Sequence, residues 1–225
     1  MRGLFICTCL MERCGGMGTL ILSGGGSAGQ NEKAHGAFAE RLGQKGPLLY
    51  IPVAGDPEQR PHAESFRYIK RCLKPYGVDQ FEMWTELNNH SLEEIQAFSG
   101  VYISGGCSLK LRRLMHVSGF DRVLLDYYKQ GGVIFGQSAG AMLFGKALSG
   151  GEEALNLVED YRIWCHYKPE NENEIVRVTK KDRLQILAME NGGSVLVSDR
   201  RIEKISGGIY TFNRGKKNII AEPSQ

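Results

Sequence analysis

The sequence predicts an α/β protein in which a mostly parallel sheet carries helices on both faces. Three observations carry that expectation. Short, unbroken apolar runs of strand length recur along the chain. Stretches with helical apolar spacing lie between them, and glycine-rich turns close the runs. Residues 19–22 form the first such run and lead into Gly24-Gly25-Gly26-Ser27. Residues 31–42 place Ala34, Phe38 and Leu42 at helical spacing. The run Pro47-Leu48-Leu49-Tyr50-Ile51-Pro52-Val53 reads as a second strand ending at the Gly55-Asp56-Pro57 turn. Residues 61–75 align Phe66, Ile69 and Leu73 on one helix face, and a strand is expected near 78–84.

Ser91-Leu92-Glu93-Glu94 carries a helix-capping signal. Residues 100–104 read as a strand entering Gly105-Gly106, followed by a short helix over 109–115 and another over 121–129. Residues 132–135 make the strand before Gly136-Gln137-Ser138-Ala139-Gly140, and a helix is expected over 139–148. The last third changes character. Short strands at 162–164, 194–197 and 209–213, with a turn at Asn191-Gly192-Gly193, predict an antiparallel edge or flap. With no internal repeat or linker, residues 17–225 are expected to form one domain, and residues 1–16 an N-terminal extension outside it.

Composition bounds the function. The 225 residues are 42% hydrophobic and 24% charged, which suits a globular core. A net charge of +3, with Lys and Arg scattered, argues against nucleic acid or an anionic membrane as partner. The six cysteines form no Cys-x-x-Cys pair and no zinc-type cluster. No metal and no organic cofactor is expected, and a reducing cytoplasm is the expected location.

The chemistry concentrates at Ser138. A serine hydroxyl is a weak nucleophile and needs a neighbouring base, usually a histidine that a third group orients. A Gly-x-Ser-x-Gly sequence between a strand and a helix projects the hydroxyl from a tight turn and aims helix N–H groups at developing negative charge. A plain capped turn would share the five residues. The buried strand before it and the helix formers after it favour the nucleophile. Of five histidines, only His166 follows Ser138, at the end of Ile163-Trp164-Cys165.

Three segments resemble peptidase family S51, the peptidase E and cyanophycinase group of the class I glutamine-amidotransferase-like superfamily. They are Tyr102-Ile103-Ser104-Gly105-Gly106-Cys107-Ser108-Leu109, Gly136-Gln137-Ser138-Ala139-Gly140-Ala141 and Ile163-Trp164-Cys165-His166-Tyr167. The resemblance implies a three-layer flavodoxin-like sandwich and a serine-type peptidase acting on short peptides. It makes Ser138 the nucleophile, His166 the base, and the amides of Gly106 and Ala139 the oxyanion donors. Glu153 is the leading candidate for the third triad member, with Glu170 and Glu190 as alternatives, Glu190 lying in Ala188-Met189-Glu190-Asn191-Gly192, which resembles a family segment near the active site. Cys107-Ser108 replaces the family's usual Asn-Thr. Arg162 and Lys168 flank His166 as candidate cations. The expected partner is a small peptide, with a homodimer left open.

Two other readings compete. A catalytically altered relative would bind a small molecule or a protein on the same scaffold, because fold does not fix function. An esterase of the α/β-hydrolase type shares the serine motif, but places its histidine after further βα units, whereas His166 comes early. The glycine run 24–26 lacks the Lys-Ser/Thr of a phosphate-binding P-loop, so a structural turn is expected there.

Overall fold

A computed structural model describes residues 17–43 and 46–222. The expectation for residues 1–16 lies outside them. Strand β1 (Thr19–Ser23) is followed by α1 (Glu32–Ala39), β2 (Leu48–Ile51), α2 (His62–Leu73), β3 (Phe81–Met83) and α3 (Leu92–Gln96). Then come β4 (Gly100–Ile103), α4 (Ser108–Val117), α5 (Phe120–Lys129), β5 (Val133–Gln137) and α6 (Ala139–Met142). The chain continues through β6 (Tyr161–Trp164), α7 (Glu172–Lys181), β7 (Gln185–Met189) and β8 (Ser194–Ser198). It finishes with β9 (Arg201–Ser206), β10 (Ile209–Asn213) and β11 (Lys216–Ile219).

The main sheet has seven strands in the order β3-β2-β4-β5-β1-β8-β9. The first five are parallel. Strands β8 and β9 close the edge in antiparallel pairing, as the change of pattern in the last third predicts. Alternate side chains of each central strand leave on opposite faces. Leu20, Leu22, Leu49, Ile51, Val101, Ile103 and Ile134 pack with Leu111, Met115, Phe120 and Leu124 of α4 and α5. Ile21, Leu48, Tyr50, Tyr102 and Phe135 pack on the other side with Ala34 and Phe38 of α1 and Ile69 and Leu73 of α2. Burial on both faces explains why these strands read as continuous apolar runs. The result is a three-layer, flavodoxin-like α/β sandwich.

A second sheet, ordered β11-β10-β7-β6, was not evident as a separate unit in the sequence. One of its faces adds Ile163, Leu187, Met189 and Ile209 to the main core. The other holds Ile186, Ala188 and Phe212 under Ile175 of α7. Helix α3 begins with the full capping box that its sequence predicts: Ser91 accepts from the Glu94 amide, and Glu94 accepts from the Ser91 amide at 2.8 Å. The helix expected over 139–148 is only one turn, α6, after which the chain loops back toward the bridge between Ala147 and Glu153. Among the described residues, no helix is long and apolar enough to cross a membrane.

Candidate active site

The parallel register sets three loops side by side. Ser23 of β1 pairs with Gln137 of β5, and Ile103 of β4 pairs with Gly136, so all three strands end at one level. The glycine loop 24–26, the Gly105-Gly106 loop and the Ser138 turn leave from those ends. Carboxyl ends of adjacent strands are where open α/β sheets place their sites.

Ser138 has φ 51° and ψ −108°, a left-handed backbone that a non-glycine residue adopts at a cost. The turn is held by Ser138 N–H donating to Ser23 O at 2.9 Å and by Met142 N–H donating to Ser138 O at 2.9 Å. A Cβ on Gly136 would stand 2.6 Å from Gly140 O, and one on Gly140 would collide with Ile103 O, so both glycines are sterically required. The Ser138 hydroxyl lies 2.7 Å from Nε2 of His166. The two residues expected to act together are therefore in hydrogen-bond contact.

His166 arrives from the second sheet. β6 runs parallel to β7, with Trp164 opposite Ala188, and the chain then turns through a positive φ of 55° at His166. Its amide donates to Gly24 O at 3.0 Å, and the next amide, Tyr167 N–H, donates to Met189 O at 2.9 Å. Gly25 lies close against the imidazole: a Cβ there would overlap His166 Cε1. The glycine run is thus a packing surface for the histidine.

The structure does not bring Glu153 to His166. Nδ1 of His166 lies 2.6 Å from Oδ1 of Asn191, which follows the candidate Glu190 in sequence but was not itself a candidate. Glu153 sits after the one-turn α6, where its carbonyl accepts from Arg112 Nε at 2.8 Å. It lines a separate cavity with Leu109, Arg112, Arg113, His116 and Glu152. Because the expected long helix is a single turn, the chain after Ser138 folds away from the site. Glu190 is beside Asn191 in sequence, yet its carboxylate accepts from the Tyr210 hydroxyl at 2.9 Å and raises that phenol's pKa. Glu170 lies in the short turn before α7.

The Gly105-Gly106 loop faces Ser138, with the Cβ position of Gly105 only 3.3 Å from Ser138 Cβ. Among the described residues, the amides of Gly106 and Ala139 donate to no backbone carbonyl. Cys107 caps α4, its sulfur accepting from Lys110 N–H at 3.5 Å. Cys165 is buried and its thiol is pushed up to about 12 by that burial, which makes it a neutral core group.

Ser138 and His166 open into a cavity of about 560 Å³. Its wall includes Tyr50, Asp56, Arg60, Ser65, Tyr68 and Gln137. Arg60, whose guanidinium lies 5.0 Å from the Tyr68 ring centre, is a cation of the pocket that the sequence did not single out. Neither Arg162 nor Lys168 lines it. Arg162 is buried at 5.9 Å from the Trp164 ring. Among the described residues, no cluster of His, Cys, Asp and Glu is arranged to hold a metal ion.

A three-layer α/β sheet with an elbow serine bonded to a histidine defines a hydrolase-type scaffold. The chain belongs to peptidase family S51, whose sequence profile matches residues 19–205. A peptidase from an acI-B1 Actinobacterium has the same fold, with a TM-score of 0.74 and 16% identity, covering 93% of this chain and 96% of that one. A candidate peptidase E protein from Listeria monocytogenes EGD-e gives a TM-score of 0.64 at 19% identity, covering 84% and 98%. Pyridoxal 5'-phosphate synthase subunit PdxT of Listeria innocua is 33% identical over 66 residues, 29% of this chain and 35% of that protein. The PdxT of Brevibacillus brevis is 36% identical over 62 residues, 28% and 32% respectively. The chain therefore matches about a third of the length of these curated relatives.

Proposed function

We propose that the protein is a serine-type peptidase that hydrolyses short peptides, with Ser138 as nucleophile and His166 as general base. The carrying observation is the 2.7 Å contact between the Ser138 hydroxyl and His166 Nε2 on a strained elbow in an open cavity. In this reading His166 takes the hydroxyl proton as Ser138 Oγ bonds to the substrate carbonyl carbon. The amides of Gly106 and Ala139 stabilise the oxyanion. His166 then gives its proton to the leaving amine, and water hydrolyses the acyl-enzyme by the same steps. Ser138→Ala and His166→Ala are each expected to remove fluorophosphonate labelling and peptide turnover while leaving the melting temperature within a few degrees. Undiminished turnover in either variant would overturn the assignment.

Arg60 gives the pocket a charged wall suited to a carboxylate on the substrate. Arg60→Ala is expected to raise KM for peptides bearing an acidic group by about tenfold or more, with little change for neutral ones. Equal effects on both substrates would remove Arg60 from recognition. A cytoplasmic setting accompanies this reading, since among the described residues Cys72, Cys107 and Cys165 form no disulfide.

A further inference from the structure

A histidine that serves as base must keep its lone pair toward the nucleophile. In neutral His166, Nε2 can accept from Ser138 only if the proton sits on Nδ1, and Nδ1–H then needs an acceptor. The acceptor in place is Oδ1 of Asn191, at 2.6 Å. Its turn is fastened from several sides. Gly192 N–H donates to Gly25 O at 2.8 Å, Gly193 N–H to Glu190 O at 2.9 Å and Glu190 N–H to Gly208 O at 3.1 Å. The glycine loop that packs against the imidazole thus also anchors the residue behind it.

With Oδ1 turned to Nδ1, the amide accepts the ring proton as a carboxylate would, but it carries no charge. Among the described residues, His166 forms no ion pair with any carboxylate. The other ionisable groups around it do not take that role. Glu190 is turned to Tyr210. Asp56 and Arg60 stand on the pocket wall, with Asp56 accepting from the Glu58 amide. Cys165 stays a neutral thiol, and Lys168, two residues along, is exposed.

We propose that Asn191 is an uncharged positioning residue for His166, so that the catalytic group is Ser138–His166–Asn191 with no acid. The inference rests on the serine-hydrolase reading above. Asn191 holds the ring and its tautomer through the step in which the Ser138 proton passes to Nε2. The imidazolium formed there is met by an amide dipole rather than by a full negative charge. Replacing the amide with a carboxylate would favour the charged ring.

The test uses the full chain and a fluorophosphonate, whose phosphorus bonds to Ser138 Oγ as fluoride leaves and the hydroxyl proton moves to His166. Labelling rates are measured between about pH 5 and pH 9 for wild type, Asn191→Ala and Asn191→Asp, spanning the range where histidine titrates. Intact-peptide mass confirms that residue 191 of the wild type is still an amide. Asn191→Ala is expected to slow labelling by about a hundredfold across the range, within the span of a lost general-base contribution. Asn191→Asp is expected to label readily, with the acidic limb of its rate profile moved up by about one pH unit. An Ala variant labelled at the wild-type rate overturns the proposal, as does an Asp profile that superimposes on wild type. If the Ala variant fails to fold, the Asp profile decides alone. A wild-type chain that takes no label overturns the serine-hydrolase reading itself, whereas labelled wild type with indifferent variants overturns only the role of Asn191.

Discussion

Ser138 and His166 both occupy left-handed backbone, at φ 51° and 55°. Such a conformation costs on the order of 1–3 kcal/mol per residue and persists only where surrounding contacts fix it. Here those contacts are main-chain bonds to β1 and its loop, through Ser23 O and Gly24 O. The strain therefore sits on the two side chains that meet, and the rigid first strand holds both. Glu153 has no such connection; its contacts are with Arg112 and the bridge to Ala147. Glu153→Gln is expected to leave fluorophosphonate labelling within about twofold of wild type, as an exposed residue away from the reacting groups should. A loss of tenfold or more would return Glu153 to the catalytic group.

At the scale of elements, α1 connects to the pocket through a buried polar chain. His35 Nε2 lies 3.3 Å from the Tyr102 hydroxyl, which donates to Gln137 Oε1 at 3.1 Å, and Gln137 Nε2 donates to Gly26 O at 3.4 Å. Helix, β4, β5 and the glycine loop are thereby tied together beside Ser138. Burial pushes the His35 imidazole down to about 4, so the fold holds it neutral. The unfolded chain binds a proton there near the ordinary histidine value of about 6.5, so the folded state loses stability as pH falls from about 6.5 toward 4. This one group contributes a loss on the order of 3 kcal/mol across that window. His35→Gln should flatten that part of the profile in denaturant titrations at several pH values. Parallel profiles for variant and wild type would show that His35 is not the titrating group.

At the scale of the molecule, two sheets build one site. The parallel sheet supplies the serine and the loops beside it, and the second sheet supplies the histidine. Asn191 lies in the turn that joins β7 of the second sheet to β8 of the first. Ser194 at the start of β8 lies opposite Ser23 at the end of β1, which fixes that turn over the pocket. The pairing of β6 with β7 fixes the 25-residue separation of His166 and Asn191 into direct contact. The relative placement of the sheets therefore sets the geometry of Ser138, His166 and Asn191.

The parallel sheet was legible because its signals are local. The runs around Leu20, Leu49, Val101 and Ile134 are buried on both faces, so hydrophobicity alone marks them. The capping box at Ser91 and the elbow at Ser138 are spelled by consecutive residues. His166 was found because a single histidine follows the serine. The second sheet was harder: β11 is exposed along its length, and α7 was not marked as a helix. The family-like segment around Glu190 pointed to this stretch, but toward its carboxylate; Asn191 itself reads as a turn residue, since an amide beside glycines is what any turn prefers. Arg60 lies between strand and helix with no motif around it to single it out. Local chemistry in the sequence thus determined the scaffold and singled out Ser138 and His166, which the fold brings into contact. Only the packing of one sheet on the other decided which residue stands behind the base, because that contact joins chain segments no local pattern connects.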